Sequence, residues 1–139
     1  MSGFVDVKTN ICIYKNLDEE WIRMKTHKDL DIWKRGIGFV AKVYKSTTMF
    51  PKEEIYGLTS QIRRAGISYP SNIAEGAARS SKKEFAQFLY IALGSLSEAE
   101  TQLIIAVKLG YLNAKDLLEE IESLRRMTLS FIKYIKSKG

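Results

Sequence analysis

A long heptad repeat in the second half of the chain constrains the fold more than any other feature of the sequence. Apolar and small residues alternate at steps of four and three over nearly four heptads: Phe85, Leu89, Ala92, Leu96, Ala99, Leu103, Ala106 and Gly110. This spacing places them on one face of a helix that packs against other helices. Ser81 and Glu84 form a capping-box pattern before the repeat, and Gly110 suits the C-terminal cap. The repeat predicts a helix over residues 82–109, roughly 42 Å long.

Three further segments show helical apolar patterns. Helix one is expected to run from an N-cap at Asp29 to about Thr47, with apolar residues on two sides. The two stripes are Leu30, Trp33, Ile37, Val40 and Tyr44, and Ile32, Gly36, Phe39 and Val43. Helix two is expected to carry Pro51 in its first turn and to kink or break near Pro70, because proline lacks an N–H and clashes with the preceding turn.

Helix four is expected after an N-cap at Asn113, with a second seam at steps of four and three. The seam consists of Leu117, Ile121, Leu124, Thr128, Phe131 and Ile135. Four long amphipathic helices joined by three short connections predict an all-α, up-down-up-down antiparallel four-helix bundle.

The first 25 residues lack this periodicity. Residues 1–25 are therefore expected to form a flexible N-terminal extension that can include a short strand, and residues 26–139 to form the bundle domain. Cys12 is the only cysteine, which excludes an intrachain disulfide and favours a reducing compartment. The chain shows no secretory pattern, and its longest uncharged run, from Glu84 to Glu98, is shorter than the roughly 20 residues of a membrane span. We expect a cytoplasmic protein with no membrane association.

Candidate catalytic and metal-binding patterns are weak. Ser80 and Lys83 fit an S-x-x-K spacing, but no S-D-N or K-T-G partner motif accompanies it. The acidic run around Glu120 is expected on a solvated helix face, and the only histidine, His27, precedes the helices, so no E-x-x-H pair can build a di-metal site. We expect no enzyme activity, no catalytic residue, no metal site and no cofactor.

The formal net charge of +6 is spread over the helices and not confined to one tail. Such a distribution suits a phosphate-binding surface of low sequence specificity, and its alternative is an ordinary solvated surface. Trp33, Tyr44, Tyr69 and Phe85 lie on apolar seams and are expected in the core, not as stacking platforms. The candidate nucleic-acid-binding residues are Lys34, Arg35, Arg63, Arg64, Arg79, Lys82, Lys83, Arg125 and Arg126.

Helices one and three carry more apolar residues than a single seam needs. In helix three, the additional positions are Phe88, Ile91, Leu93, Ile104, Ile105 and Val107. Surplus apolar surface of this kind favours self-association, with burial of helix three at the centre of a monomer as the alternative.

The segment ISYPSNIAEG at residues 67–76 resembles the family of 23S rRNA-intervening-sequence proteins, also called the S23 ribosomal protein family. The same resemblance extends to the pairs at 79–80, 84–85, 88–89, 91–92 and 94–95 and to the opening HKDL at 27–30 with Trp33 and Lys34. It covers roughly residues 26–136. The family is also similar to the accessory variability proteins of diversity-generating retroelements.

The resemblance implies a bacterial four-helix bundle that tends to form homopentamers, with no catalytic residues to transfer. It also implies RNA or DNA as a binding partner, or a protein partner such as a reverse transcriptase. Ser68, Ser71, Asn72 and Glu75 are interpreted as a structural polar cluster near Pro70, with Asn72 and Glu75 on one helix face together with Arg79.

The leading hypothesis is a non-enzymatic, oligomeric bundle that binds RNA or other nucleic acid through a basic surface. Its alternative is a protein-interaction scaffold or accessory subunit that does not contact nucleic acid directly.

Overall fold

The computed structural model describes residues 2–6, 11–15, 21–24 and 26–137. Four helices dominate these residues: α1 (Asp31–Thr47), α2 (Leu58–Ala77), α3 (Lys82–Lys108) and α4 (Lys115–Ser137). Helix α1 packs on α2 and α4, and α3 packs on α2 and α4, so the helices enclose a single core. The predicted four-helix, all-α domain is confirmed.

A small antiparallel sheet precedes the helices, within the predicted N-terminal extension. Its strands are β1 (Ser2–Asp6), β2 (Ile11–Lys15) and β3 (Trp21–Met24), with β2 in the middle. Gly3 lies opposite Tyr14, and Cys12 lies opposite Met24. The sequence indicated at most one short strand here, because strand pairing between separate segments leaves no local periodic signal. The flexibility of residues 1–25 stays a prediction.

The two predicted seams of α3 and α4 form the core. From Phe85 to Ala106 every seam residue of α3 is buried, and so is every seam residue of α4 from Leu117 to Ile135. Gly110 follows α3 with a positive φ of 77°, which glycine adopts without strain. Local pattern and capping therefore predicted both helices correctly.

Local capping also sets the starts of α3 and α4. The Ser81 side chain accepts a hydrogen bond from the Glu84 N–H at 3.1 Å, and the Asn113 side chain accepts one from the Lys115 N–H at 3.0 Å. The prediction of Asp29 as the N-cap of α1 is wrong. Asp29 closes a capping box with Thr26 around a short 3₁₀ helix at His27–Asp29, and α1 begins after that turn.

Helix α1 buries only one of its two apolar stripes. Ile32, Gly36, Phe39 and Val43 are buried in the core. Beside them, Trp33 is half-buried and packs against the core, whereas Tyr44 is exposed, so the expectation of the Tyr44 ring in the core is wrong. Tyr69 and Phe85 are fully buried as predicted. Which of the two stripes becomes buried depends on where α2 packs against α1.

The outer stripe of α1 lines a surface groove that we call the α1–α2 groove. The residues lining it are Trp33, Ile37, Val40, Ile67, Pro70, Ser71 and Ala74. Apolar side chains dominate this surface, and Ile37 is 45% exposed.

Helix α2 departs from its prediction at both prolines. Pro51 precedes a short 3₁₀ helix at Lys52–Glu54, and α2 itself begins later, at Leu58. The predicted break near Pro70 is absent, because the helix continues to Ala77 with Tyr69, Pro70 and Ile73 all buried. Burial of these side chains outweighs the roughly 3 kcal/mol that a proline inside a helix costs. A kink at Pro70 and the up-down course of the helices stay predictions.

Side-chain contacts connect distant helices across the core. The Tyr69 hydroxyl forms a hydrogen bond of 2.8 Å with the Thr128 hydroxyl, joining α2 to α4. The rings of Phe85 and Phe131 meet edge to face at 5.6 Å between centroids. Of the helices within the described ranges, none is long and apolar enough to cross a membrane.

Candidate nucleic-acid interface

Two of the candidate arginines connect helices through ion pairs. Arg35 on α1 donates to the Glu120 carboxylate on α4 at 3.1 Å. Arg125 on α4 donates to the Glu100 carboxylate on α3 at 3.1 Å and to Glu122 on its own helix. Because a carboxylate already neutralises each guanidinium, these two arginines contribute little attraction for a phosphate backbone.

Two further candidate arginines pack on aromatic rings. The Arg63 guanidinium lies 4.5 Å from the centroid of the exposed Tyr44 ring. Arg79 forms a 3.0 Å ion pair with Glu75 and lies 4.8 Å from the centroid of the Phe88 ring. Both are positioned by contacts within their own chain.

The remaining candidates are distributed over all four helices. Lys34 and Arg64 are exposed on α1 and α2. Arg126 on α4 lines a shallow apolar cleft next to the start of α1, where Asp31 also lies. Lys82 and Lys83 begin α3, where they meet Lys136 from the end of α4. Of these remaining candidates, Lys82 and Lys83 line one described cleft together.

The meeting of α3 and α4 creates a cleft of about 390 Å³, which we call the lysine cleft. Its described lining residues are Lys82, Lys83, Ala86, Gln87, Tyr90, Ile135 and Lys136. None of these is acidic. Ala86 and Ile135 are buried and line the apolar floor of the cleft.

Tyr90 is held at the edge of the lysine cleft by Lys136. The Lys136 ammonium donates to the Tyr90 hydroxyl at 3.3 Å and lies 5.3 Å from the ring centroid. Tyr90 nevertheless stays 48% exposed. Its ring thus lies against Lys136 and stays open to solvent at the positively charged rim of the cleft.

The start of α3 adds electrostatic attraction to the cleft. Unpaired N–H groups give the N-terminus of a helix a partial positive charge, which favours anions. Glu84 in the first turn of α3 offsets part of this field, although it is not among the residues that line the cleft. Three lysine side chains and the helix end together form an anion-attracting site.

The predicted polar cluster near Pro70 divides into two parts. Asn72 donates to the Ser68 carbonyl at 2.8 Å and to its hydroxyl at 2.9 Å, and the Ser95 hydroxyl on α3 donates to the Ser68 hydroxyl at 2.7 Å. Ser71 instead faces the α1–α2 groove, and Glu75 pairs with Arg79 at the surface. The first part connects α2 to α3 and supports a structural role.

Tyr69 is a buried titratable group in the core. Desolvation by burial raises the pKa of Tyr69 to about 12, against a smaller lowering by its hydrogen bond with Thr128. The hydroxyl is enclosed between helices, so it acts in packing and not in chemistry on a ligand. Within residues 26–137, no group of three His, Cys, Asp or Glu side chains is placed to hold a metal ion.

Sequence reasoning missed Tyr90 and Lys136 as members of a site. A partial signal exists in α3, because Lys83, Gln87 and Tyr90 recur at steps of four and three and so share a helix face. The contribution of Lys136 has no such signal, since it comes from another helix far along the chain. Only packing of α4 on α3 brings it to the cleft.

Comparisons with known proteins agree with this fold. The chain is similar to a crystal structure of a protein with unknown function from the S23 ribosomal protein family of Bacteroides thetaiotaomicron. The two are 22% identical with a TM-score of 0.66, and the match covers 73% of this chain and 98% of that chain. This likeness shows the fold alone. No curated protein matches the chain.

The family model described as 23S rRNA-intervening sequence protein matches residues 28–130. The match includes all of α1, α2 and α3 and most of α4. The chain therefore belongs to the family of 23S rRNA-intervening sequence proteins.

Proposed function

We propose that the protein is a non-enzymatic, self-associating bundle that binds RNA or other nucleic acid through the lysine cleft. The single observation that carries this proposal is the convergence of Lys82, Lys83 and Lys136 on one cleft without an acidic residue in its described lining. Nucleic-acid backbones present regularly spaced phosphates, and lysines bind them by releasing condensed counterions. The net charge of +6 adds long-range attraction to any polyanion. The proposal places this activity in the cytoplasm.

Self-association is supported by two exposed apolar surfaces. One is the α1–α2 groove, and the other is the outer side of α3, where Ile91 and Ile105 are exposed. Apolar patches on a small protein favour contact with another protein surface. In the homopentamer that the family resemblance implies, five chains would carry about +30 formal charge and bind one polyanion by avidity.

The test of nucleic-acid binding is the salt dependence of affinity for a fluorescently labelled, structured RNA, measured by anisotropy. Two phosphate contacts per chain, at Lys83 and Lys136, predict that affinity falls roughly 7- to 12-fold between about 50 and 200 mM salt. Replacing both Lys83 and Lys136 by Gln should reduce the slope of log affinity against log salt by about 1.4–1.8.

Lys115→Gln is the matched control. Lys115 is an exposed lysine on the same helix as Lys136, about 30 Å away along the axis. It should leave the slope unchanged. Absence of RNA binding by the unaltered protein at low salt would contradict the proposal.

A second candidate function is a protein-interaction scaffold, and the α1–α2 groove is the observation that favours it. In this alternative, the groove binds another protein, such as a reverse transcriptase for which the chain is an accessory subunit. The RNA-binding and scaffold functions predict different results in the RNA-binding assay. The scaffold predicts no RNA binding at low salt and no effect of the Lys83 and Lys136 substitutions on partner binding.

A further inference from the structure

We infer that the lysine cleft binds an unpaired nucleotide, whose base stacks on the Tyr90 ring while its flanking phosphates contact the lysines. This inference rests on the proposed function and makes it more specific, because it selects single-stranded over double-stranded nucleic acid. It follows from the juxtaposition of an exposed aromatic ring, an apolar floor and three lysines in one cleft.

The ring of Tyr90 is suited to stacking by its position. About half of its surface faces solvent, at the rim of the lysine cleft. The hydrogen bond from Lys136 to its hydroxyl restricts rotation of the side chain. A base that stacks on a ring already held in place loses less conformational entropy than one that must order the ring first. The other face of a nucleobase can then remain in solvent or stack on the next base.

The cleft below the ring fits the remainder of a nucleotide. Its volume of about 390 Å³ lies within the roughly 300–1,000 Å³ range of small-ligand clefts. Ala86 contributes a small exposed apolar area to its floor, and the Gln87 amide can both donate and accept hydrogen bonds. An amide of this kind can pair with the edge of any base, which agrees with low sequence specificity.

Single-stranded nucleic acid is favoured over a duplex by geometry. Bases in a duplex are paired and stacked on each other, so only their edges reach a protein, and Tyr90 would have no base face to contact. An unpaired strand exposes both phosphates and base faces, and proteins bind such strands by combining basic grooves with aromatic stacking. A duplex should therefore use the lysines of the cleft and not its ring.

The experiment compares three fluorescein-labelled probes, each about 12 nucleotides or base pairs long, at low salt. They are an oligouridylate, an abasic strand with the same phosphates, and an RNA duplex. The unaltered protein should bind the oligouridylate about 5- to 150-fold more tightly than the abasic strand, which is the contribution of one stacked base. Tyr90→Ala should remove this difference, so that the variant binds the oligouridylate and the abasic strand with similar affinity.

Tyr90→Phe provides the matched control, because it keeps the ring and removes only the hydroxyl. It should retain most of the preference for the oligouridylate, because the stacking ring remains although the hydrogen bond from Lys136 is lost. Both variants alter a half-exposed side chain, and far-UV circular dichroism checks that they stay folded.

The possible failures are distinguishable. The unaltered protein could bind the oligouridylate and the abasic strand with equal affinity while Lys83→Gln still weakens binding. This result overturns the stacking inference and leaves the proposed function standing. The same holds if the duplex binds as tightly as the single strand and Tyr90→Ala changes neither. Failure to bind any of the three probes overturns the proposed function itself.

Discussion

Gly36 on α1 has no room for a side chain, because the Tyr69 ring of α2 packs directly against it. A Cβ atom at position 36 would lie 2.9 Å from two Tyr69 ring carbons and 3.4 Å from the Pro70 Cβ. Ordinary carbon–carbon contacts are about 3.5–4.0 Å, so Gly36→Ala requires a shift of roughly 0.5–1 Å. Tyr69 cannot move freely, since it is fully buried and its hydroxyl is bonded to Thr128.

The expected magnitude combines two opposing effects. Alanine favours a helix interior over glycine by about 0.8–1.0 kcal/mol. Overpacking of a well-filled core costs about 1–3 kcal/mol, and a strained Tyr69–Thr128 hydrogen bond places the cost in the upper part of that range. We expect Gly36→Ala to lower the free energy of unfolding by about 1–2 kcal/mol in net terms.

Gly38→Ala on the same helix is the control. A Cβ at this exposed position meets nothing within 4 Å, so only the helix preference acts. It should raise the free energy of unfolding by up to about 1 kcal/mol. The two variants should therefore differ by about 2–3 kcal/mol, or about 10 °C in Tm for a domain of this size.

Urea unfolding followed by far-UV circular dichroism, at one fixed protein concentration, measures the difference. A Gly36→Ala variant as stable as Gly38→Ala would refute the reasoning, because it would show that the Tyr69 ring yields without cost. A double-mutant cycle with Tyr69→Leu adds a second check. The cost of Gly36→Ala should shrink once the ring is absent.

Two further predictions concern the ionisation of Tyr69 in the core and self-association through the α1–α2 groove. Because the pKa of Tyr69 is about 12 in the folded state and near 10.0 when unfolded, the unfolded chain loses this proton first as pH rises. The free energy of unfolding should then fall by about 1.4 kcal/mol per pH unit between pH 10 and 12. If Tyr69→Phe loses stability with the same dependence on pH, the loss does not come from ionisation of Tyr69. In the α1–α2 groove, Ile37→Glu should lower the mass measured by light scattering toward that of the 15.9 kDa monomer. Met49→Glu is the control, because Met49 is 85% exposed and lies outside the groove, and it should leave the mass unchanged. If the unaltered protein is itself a monomer, self-association is refuted.

The helices could be predicted where local rules act alone. In α3, the alternation of steps of four and three, the Ser81 cap and the glycine at position 110 all depend on neighbours within a few residues. Each of these local preferences agrees with the packing, so the helix lies where its pattern places it.

The pattern was insufficient where two solutions satisfy the same local rules. Helix α1 carries two apolar stripes, and periodicity cannot tell which one faces α2 and α4. The same reason explains Pro70. Its local cost predicts a break, and burial of Tyr69 and Ile73 against other helices keeps α2 continuous.

Sequence by itself determined the helical class, the seams and N-terminal caps of α3 and α4, and the net positive charge. The tertiary structure alone decided which of the charged side chains pair with each other and which meet in the lysine cleft. Ion pairs with carboxylates on other helices occupy Arg35 and Arg125, whereas α3 and α4 bring Lys83 and Lys136 together around Tyr90. The physical reason is the separation along the chain of the residues involved. Helix formation depends on residues within one or two turns, whereas the cleft depends on contacts between distant segments that only folding brings together.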